Sequence, residues 1–326
     1  MTVALDQRAA AGLEPWPLTA VACPLCGADE PAMLYEDRNR REGLPIRSAY
    51  RRCGNCSLIY LNPVVGDLRA LYVAVYAGDA TAASTSGGRW SGRYAALLAR
   101  CERLFDRSDA CRAAELATPV GRMLDVGCSD GARLRAFADA GWDVHGIDPN
   151  PAAIDAARAG GRGTFVAGEL TAHRYSDHCF DLVRIDNALE HVLDPHALLG
   201  EVRRILKPGG RLYIYVPNGS SLTMRWLGRY SISSWVPFHV ALYTPATMTR
   251  LLAAHGFSAT ISVNTPLSWL YLSLKQRLSR RPFLSQMTLS ERTAALLLGP
   301  MARLLNHTTW GEELVVHASL GHHSDL

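Results

Sequence analysis

Four of the eight cysteines form two closely spaced pairs near the start of the chain. Cys23 and Cys26 make one C-x2-C pair, and Cys53 and Cys56 make the other. Four thiolates at these spacings can surround one Zn²⁺ tetrahedrally, and such a site leaves no open position for a reacting water. Disulfide or redox chemistry is the alternative, but two C-x2-C turns in a chain that we expect to be cytoplasmic favour zinc. The spacing therefore predicts a structural zinc site.

A second segment places glycine, serine and aspartate between a predicted strand and a predicted helix, over residues 124–131. A dinucleotide-binding loop follows the pattern G-x-G-x-x-G/A, and its middle glycine lets the backbone approach a pyrophosphate. Here Ser129 takes the middle position, between Gly127 and Ala132. The loop therefore favours a ligand without a pyrophosphate.

Asp148 ends the next predicted strand, 21 residues after Gly127. A carboxylate at this position of an α/β sheet can accept hydrogen bonds from both hydroxyls of a ribose. Each feature alone has a purely structural explanation, because many strand-to-helix turns need a glycine and Asp148 could cap the following helix. Together, and in this order, they predict a nucleoside-binding site.

The elements that must position these residues alternate regularly after Pro119. Strands are predicted at 122–127, 143–147, 164–166, 180–185, 211–216, 257–263 and 313–318, with helices at 132–140, 151–159, 196–206 and 245–256 and a turn at 208–210. Strands separated by helices of about ten residues indicate βαβ units. The sequence therefore predicts an α/β fold with a doubly wound, Rossmann-like parallel sheet.

The chain divides into three predicted regions: a zinc-ribbon-like module over 1–76, a linker with helices over 77–118, and the α/β domain over 119–326. In the module, residues 1–20 are expected to be a loose arm, and Asp67 to cap a helix over 67–76. A helical insertion is predicted over 266–311. Its apolar face comprises Leu267, Leu270, Tyr271, Leu274 and Leu278. This face could lie on a membrane surface, but packing on its own domain is the favoured interpretation.

Composition narrows the classes of protein. The chain has 326 residues, 34 Lys and Arg against 30 Asp and Glu, and a formal net charge of +4. A hydrophobic fraction of 48% excludes a disordered chain, and so small an excess of positive charge argues against a nucleic-acid partner. We find no apolar run long enough to span a membrane and no signal peptide, so we expect a cytoplasmic protein.

Residues 120–265 and the final strand resemble class I S-adenosylmethionine-dependent methyltransferases. The matching segments are Asp125–Gly131, which resembles D-x-G-x-G-x-G apart from Ser129, and 146–148, 167–170, 180–183, 187–192 and 206–210. The resemblance implies a seven-stranded, mostly parallel sheet and S-adenosylmethionine as cofactor. It also implies the cofactor-binding residues, which are Asp125, Gly127, Ser129, Gly131, Asp148, Glu169 and Asn187. Asp148 is expected at the ribose, and Glu169 at the amino group of the adenine.

With its cysteine pairs, the whole chain is similar to a narrower group, the zinc-ribbon-bearing methyltransferases of bacterial sugar and secondary-metabolite pathways. The C-methylating members have a Glu-His pair after the fifth strand, where this chain has Phe238 and His239. The missing glutamate favours O- or N-methylation over C-methylation. The acceptor is expected to be a small molecule or glycan: a sugar or sugar nucleotide first, and a natural-product hydroxyl or amine second.

Methyl transfer needs a positioned acceptor and a group that removes the acceptor's proton. His239 follows an aromatic segment expected to roof the acceptor site, so it is the first candidate for a general base; the alternative is a buried histidine with satisfied hydrogen bonds. His191, beside Glu190, is the second candidate, and could instead hold the start of a helix. The resemblance suggests that Tyr76 closes the site.

Two other classes of function stay open on the sequence. A nicotinamide-dependent oxidoreductase could use the same sheet, although Ser129 at the middle position of the glycine-rich loop argues against it. A non-catalytic protein could instead use the zinc module to dock a partner. The module contains a run of arginines between residues 38 and 52, diluted by Glu36, Asp37 and Glu42.

Overall fold

The computed structural model describes residues 16–76, 93–106, 115–116, 119–279 and 287–321. Residues 77–92, 107–114 and 117–118 of the predicted linker region, and most of the predicted N-terminal arm, lie outside these residues. Elements are numbered along the described chain.

A seven-stranded sheet forms the centre of the larger domain. Its strands are β6 (Arg122–Val126), β7 (Asp143–Asp148), β8 (Thr164–Ala167), β9 (Phe180–Asp186), β10 (Leu206–Pro217), β12 (Phe257–Asn264) and β13 (Glu313–Leu320). Their order is β12-β13-β10-β9-β6-β7-β8. The five strands from β10 to β8 are parallel, and β13 runs antiparallel between β10 and β12. The predicted α/β, mostly parallel sheet is confirmed.

Helices connect the strands, as the alternation predicts. They are α3 (Arg135–Asp139, after a 3-10 turn at Ala132–Leu134), α4 (Pro151–Ala159), α5 (Pro195–Ile205) and α7 (Pro245–Ala254). Three of them begin with a capping side chain followed by proline: Asn150-Pro151, Asp194-Pro195 and Thr244-Pro245. The cap accepts a backbone N–H, and proline at the first helical position lacks only a donor that would have no partner there. These pairs explain why the helices start where they do.

The turn predicted at 208–210 is wrong in one respect. Strand β10 begins at Leu206, so the Pro-Gly-Gly segment lies inside it as an irregularity in the pairing with β9 between Leu206 and Arg211. Gly209 has φ of 75°, which accommodates this irregularity without a steric penalty.

The N-terminal module has a four-stranded antiparallel sheet of order β11-β4-β3-β2. Its strands are β2 (Pro31–Arg38), β3 (Arg47–Cys53), β4 (Ile59–Leu61) and β11 (Ala241–Leu242). Strand β11 lies in the predicted α/β domain, so the α/β domain completes the sheet of the N-terminal module. Leu18–Thr19 (β1) pairs with Val64–Val65 (β5), so this end of the predicted loose arm is ordered by pairing. Helix α1 (Leu68–Tyr76) follows, and the Asp67 carboxylate accepts the Ala70 N–H at 2.8 Å, as predicted.

Further helices are α2 (Arg93–Glu102), α6 (Leu222–Leu227), α8 (Leu267–Ser279), α9 (Leu289–Ala295) and α10 (Gly299–Leu305). The last three form the predicted insertion, and α8 packs on its own domain: Leu267 is buried with Ala295 and Ala302. The predicted apolar face is partly wrong, because Leu278 is 82% exposed whereas Leu272 is buried. No helix in the described part of the chain is long and apolar enough to cross a membrane.

Candidate functional site

The four paired cysteines come together in the N-terminal module. Cys23 Sγ lies 3.5 Å from Cys56 Sγ, and Cys26 Sγ lies 3.5 Å from Cys53 Sγ. All four sulfur atoms lie within 4.8 Å of one another. A Zn–S distance of about 2.3 Å places the sulfurs of a tetrahedral site about 3.8 Å apart. The cluster therefore has dimensions that suit a four-thiolate metal site.

The glycine-rich loop connects β6 to the 3-10 turn and is shaped by positive φ angles. Gly127 has φ of 80°, Ser129 of 51° and Gly131 of 67°. A Cβ on Gly127 would lie 2.7 Å from the Cβ of Ala188, so glycine allows close contact with the loop that follows β9. The loop thus brings the carboxyl ends of β6 and β9 together, where α/β sheets bind their ligands.

Asp148, at the end of β7, is held beside this loop. Its Oδ2 accepts the Ser129 N–H at 3.0 Å, and its Oδ1 accepts the Asn150 N–H at 2.8 Å. The residue is 4% exposed, and burial raises the pKa of its carboxyl although these two hydrogen bonds lower it. Two donors satisfy only part of a carboxylate, which can accept about four hydrogen bonds. Asp148 can therefore accept further hydroxyl donors.

Asp125 has a different environment from the one a ligand-binding carboxylate needs. It is 3% exposed, and its Oδ1 accepts the Arg184 Nη1–H at 3.2 Å. Arg184 also pairs with Glu115 and Asp186. Burial raises the pKa of Asp125 to about 6, although Arg184 opposes this shift. Asp125 is thus part of a buried ion-pair network, and its contact with a cofactor stays a prediction.

Two other predicted cofactor residues lie at strand ends on the same edge of the sheet. Glu169 is exposed and lies just after β8. Gly168, between β8 and Glu169, donates its N–H to the Asp148 carbonyl at 2.9 Å. Asn187 follows β9 with φ of 53°, and its N–H donates to the Tyr215 carbonyl at 2.8 Å. Both residues therefore lie at the edge of the sheet that also carries the glycine-rich loop, and their roles in binding a cofactor stay predictions.

The two candidate histidines lie together, although 48 positions separate them in the sequence. The rings of His191 and His239 are 4.9 Å apart between centroids, and both lie edge-on to Trp235. The Nδ1 of His191 is 2.9 Å from the Phe238 carbonyl, and the Nδ1 of His239 is 2.8 Å from the Ser233 carbonyl. Each Nδ1 therefore donates its hydrogen to a carbonyl, which leaves a lone pair on each Nε2.

Glu190 joins the two histidines, and sequence reasoning assigned it no role. Its Oε1 lies 3.9 Å from Nε2 of His191 and 3.9 Å from Nε2 of His239. The residue is 1% exposed, and within the described residues neither carboxylate oxygen has a hydrogen-bond partner. Burial raises the pKa of Glu190 well above its usual value, and lowers the pKa of His191 to about 4 and that of His239 well below its usual value. A Glu-His dipeptide at the carboxyl end of a buried strand was the only signal available in the sequence.

Tyr76 connects the module to both sides of the site. Its hydroxyl donates to Glu42 Oε1 at 2.8 Å, and the same carboxylate accepts the Trp235 Nε1–H at 3.2 Å. Its carbonyl lies 3.5 Å from the Asn150 side-chain amide, next to Asp148. Burial, with Glu42 second, raises the pKa of the Tyr76 hydroxyl far above its usual value, so Tyr76 stays protonated. Tyr76 thus contacts the larger domain by accepting from Asn150, and its hydroxyl holds Glu42, which itself accepts from Trp235.

The profile of a family described as a methyltransferase domain matches residues 90–261, more than half of the chain. The chain belongs to this methyltransferase family. Together with the sheet topology, the match confirms the resemblance to class I S-adenosylmethionine-dependent methyltransferases.

Curated methyltransferases match parts of the chain. The demethylmenaquinone methyltransferase of Renibacterium salmoninarum is 31% identical over 161 residues, covering 48% of this chain and 59% of that protein. The ubiquinone biosynthesis O-methyltransferase of Rhodopseudomonas palustris is 29% identical over 208 residues, covering 57% of this chain and 79% of that protein. An uncharacterized methyltransferase of Mycobacterium leprae is 35% identical over 147 residues, 44% of this chain and 52% of that protein. The chain thus spans between half and two thirds of the first of these relatives and of the mycobacterial one.

A solved structure shows the same fold. A chain from the complex between the Haloferax volcanii Trm112 methyltransferase activator and a methyltransferase aligns with a TM-score of 0.50 and 20% identity. The alignment covers 72% of this chain and 98% of that one.

Proposed function

We propose that the protein transfers a methyl group from S-adenosylmethionine to a small-molecule or glycan acceptor in a biosynthetic pathway. Membership of the methyltransferase family over residues 90–261 is the observation on which this proposal depends. The partly satisfied Asp148 carboxylate beside the glycine-rich loop supports it, because a nucleoside offers two adjacent ribose hydroxyls as donors.

The residues present fit this cofactor. Gly127, Ser129 and Gly131 hold the loop open at the strand ends, Asp148 binds the ribose, and Glu169 meets the adenine amino group. When bound, the cofactor supplies a methyl group on a sulfonium, whose C–S bond breaks with its electron pair staying on sulfur. Ser129 leaves less room than glycine for a pyrophosphate, which disfavours a nicotinamide dinucleotide at this loop.

The acceptor binds at the group formed by Trp235, His191, His239 and Tyr76. Aromatic faces stack on the apolar faces of sugars and of phenolic rings, and Trp235 is the largest such face beside the two histidines. His239 and His191 each present a neutral Nε2 that can accept a proton from, or hold, the reacting oxygen or nitrogen. Tyr76 closes the site through Glu42.

A sugar or sugar nucleotide is the first acceptor class, with its oxygen or nitrogen methylated. A phenolic hydroxyl is the second, favoured by similarity over 57% of the chain to a ubiquinone biosynthesis O-methyltransferase. The four cysteines hold a structural zinc that stabilises the module against the larger domain. A cytoplasmic location and the lack of a nucleic-acid partner stay predictions.

Transfer of tritium from methyl-labelled S-adenosylmethionine tests the proposal. The acceptors are a panel of deoxysugar nucleotides and a panel of catechols and phenols. We expect label in one panel, lost in Asp148→Ala and kept in Arg303→Met, which changes an exposed arginine on α10. Binding of NAD in place of S-adenosylmethionine would contradict the proposal.

A further inference from the structure

Glu190, His191 and His239 form a compact group of possible metal ligands in the larger domain. One ligand atom from each residue lies within 4.8 Å of the other two. The Nε2 atoms of both histidines are 3.9 Å from Glu190 Oε1. Metal bonds of about 2.0–2.2 Å to nitrogen and oxygen require ligand atoms about 3–3.5 Å apart. The two separations from Glu190 Oε1 therefore need to close by less than about 1 Å, and the separation between the histidine ligand atoms, within 4.8 Å, by at most about 1.8 Å.

Backbone carbonyls orient both imidazoles so that each Nε2 faces Glu190. Their Nδ1 atoms are occupied by the carbonyls of Phe238 and Ser233, so the lone pairs are on Nε2, the atom nearest Glu190. Metal-binding histidines in proteins have this arrangement, in which the second ring nitrogen donates to a carbonyl or carboxylate. Two independent carbonyls impose the same tautomer on residues from separate segments.

The carboxylate lacks a compensating group in the described structure. Glu190 is 1% exposed, and neither of its oxygens accepts a hydrogen bond from a described residue. An ionised carboxylate buried without donors is more unfavourable than any neutral polar group, unless it is protonated or meets a cation. Two neutral imidazoles contribute no charge, so a cation between the three side chains would satisfy all of them at once.

We propose that Glu190, His191 and His239 bind one divalent transition-metal cation, which holds and acidifies the acceptor hydroxyl. Two imidazoles and one carboxylate form the ligand set that proteins use for catalytic Zn²⁺ and for non-haem Fe²⁺, with open positions for a substrate oxygen. This deepens the proposed function and depends on it. Because both Nε2 lone pairs then bind the metal, neither histidine acts as the base. The acceptor's O–H proton passes to water, its oxygen lone pair forms the new C–O bond, and the C–S bond of the sulfonium breaks to give the neutral thioether.

The experiment counts zinc per chain. Wild-type protein, Glu190→Gln and His239→Gln are dialysed against Zn²⁺ alone, and bound zinc is measured by elemental analysis. The control is His145→Gln, because His145 is also buried but lies on β7 beside Phe180. We expect each of the two site variants to hold one zinc fewer than the wild type, and His145→Gln to hold the same number. Cysteine-bound zinc is common to all four proteins and cancels.

A second measurement guards against misfolded variants. With Co²⁺ in place of zinc, a thiolate site gives intense near-ultraviolet charge-transfer bands that a nitrogen and oxygen site lacks. We expect the variants to keep these bands while binding one cobalt fewer than the wild type. Equal zinc content in wild type and both site variants would overturn the metal site and indicate a protonated Glu190. S-adenosylhomocysteine binding, measured separately by calorimetry, would fail only if the proposed function were wrong.

Discussion

Buried carboxylates lie around Arg184, on β9, and at Glu190, just after β9, and their charges are balanced in opposite ways. Around Arg184, the carboxylates of Glu115, Asp125 and Asp186 share one guanidinium that is 1% exposed. Tyr215 also donates its hydroxyl to Glu115. The Glu190 carboxylate is equally buried but faces two neutral histidines, and no described residue donates a hydrogen bond to it.

The difference separates a structural network from a candidate site. A buried ion-pair network with its hydrogen bonds satisfied fixes strands relative to one another. Removing one partner leaves the remaining buried groups with a charge that nothing compensates. A buried carboxylate without donors is a destabilising feature that folding alone does not require. Perturbed groups of this kind cluster where ligands bind or chemistry occurs. We therefore assign the Arg184 group to stability and the Glu190 group to function.

Loss of the shared cation should have the largest effect. Arg184→Met removes the guanidinium that Glu115, Asp125 and Asp186 share, although Asp186 keeps its ion pair with Arg133, and we expect the free energy of unfolding to fall by about 3–5 kcal/mol. Urea denaturation followed by circular dichroism measures the change. The control Arg303→Met, at an exposed arginine, should change it by less than about 0.5 kcal/mol. A loss below 1 kcal/mol in Arg184→Met would remove the contrast between the two groups.

Asp148 is intermediate, because it accepts from two backbone donors and pairs with no cation in the described part of the chain. Asp148→Ala removes hydrogen bonds from the ribose hydroxyls to a charged acceptor, and should weaken S-adenosylhomocysteine binding by about 1.5–3 kcal/mol. Isothermal titration calorimetry measures the affinity. Asp155→Ala, at an exposed carboxylate on α4, is the matched control and should bind as the wild type does. Unchanged affinity in Asp148→Ala would mean that the ribose lies elsewhere.

Glu190 should make metal-free protein less stable as pH rises. Its pKa is raised in the folded state, so between the unfolded pKa, about 4.3, and the folded pKa the native state binds more protons and stability falls. We expect wild type to lose about 1 kcal/mol relative to Glu190→Gln from pH 5 to pH 7, a slope below the limit of about 1.4 kcal/mol per unit.

Urea denaturation of chelator-treated wild type and Glu190→Gln at each pH measures this difference. Asp186 and Glu313 also act on Glu190, and Arg41 acts on the two histidines. These groups are present in both proteins, so the difference between the two isolates Glu190. A wild type that gains stability relative to the variant as pH rises would show that the carboxylate is already compensated.

The smallest effect concerns the donor to Asp148. Ser129 has φ of 51°, a conformation that costs a non-glycine residue about 1 kcal/mol. Ser129→Gly keeps the N–H that Asp148 accepts and relieves this cost, so stability should rise by about 0.5–1 kcal/mol while S-adenosylhomocysteine affinity stays the same. Thermal unfolding and calorimetry measure the two quantities. A tenfold loss of affinity would give the serine hydroxyl a direct role in binding.

The arrangement of the glycine-rich loop and Asp148 could be predicted from the sequence because neighbouring segments form it. Gly127, Ser129 and Asp148 follow consecutive strands, and strand order alone brings them to one edge of the sheet. The caps and prolines at residues 150, 194 and 244 likewise fix helix starts locally. Spacing along the chain was sufficient for these features.

The acceptor side could not be predicted in the same way. His191 and His239 belong to segments 48 positions apart, and the Glu190 carbonyl accepts the Val240 N–H to hold those segments together. The pairing of β11 with β4, which ties the cysteine module to this region, is likewise a contact between distant segments. No local pattern encodes either contact, so Glu190 emerged only from the structure.

Calorimetric titration of the zinc-replete protein with S-adenosylmethionine, S-adenosylhomocysteine and NAD tests the methyltransferase assignment most directly. The account predicts that the first two bind once per chain with micromolar affinity and that NAD does not bind. Binding of NAD, or of none of the three, would contradict it.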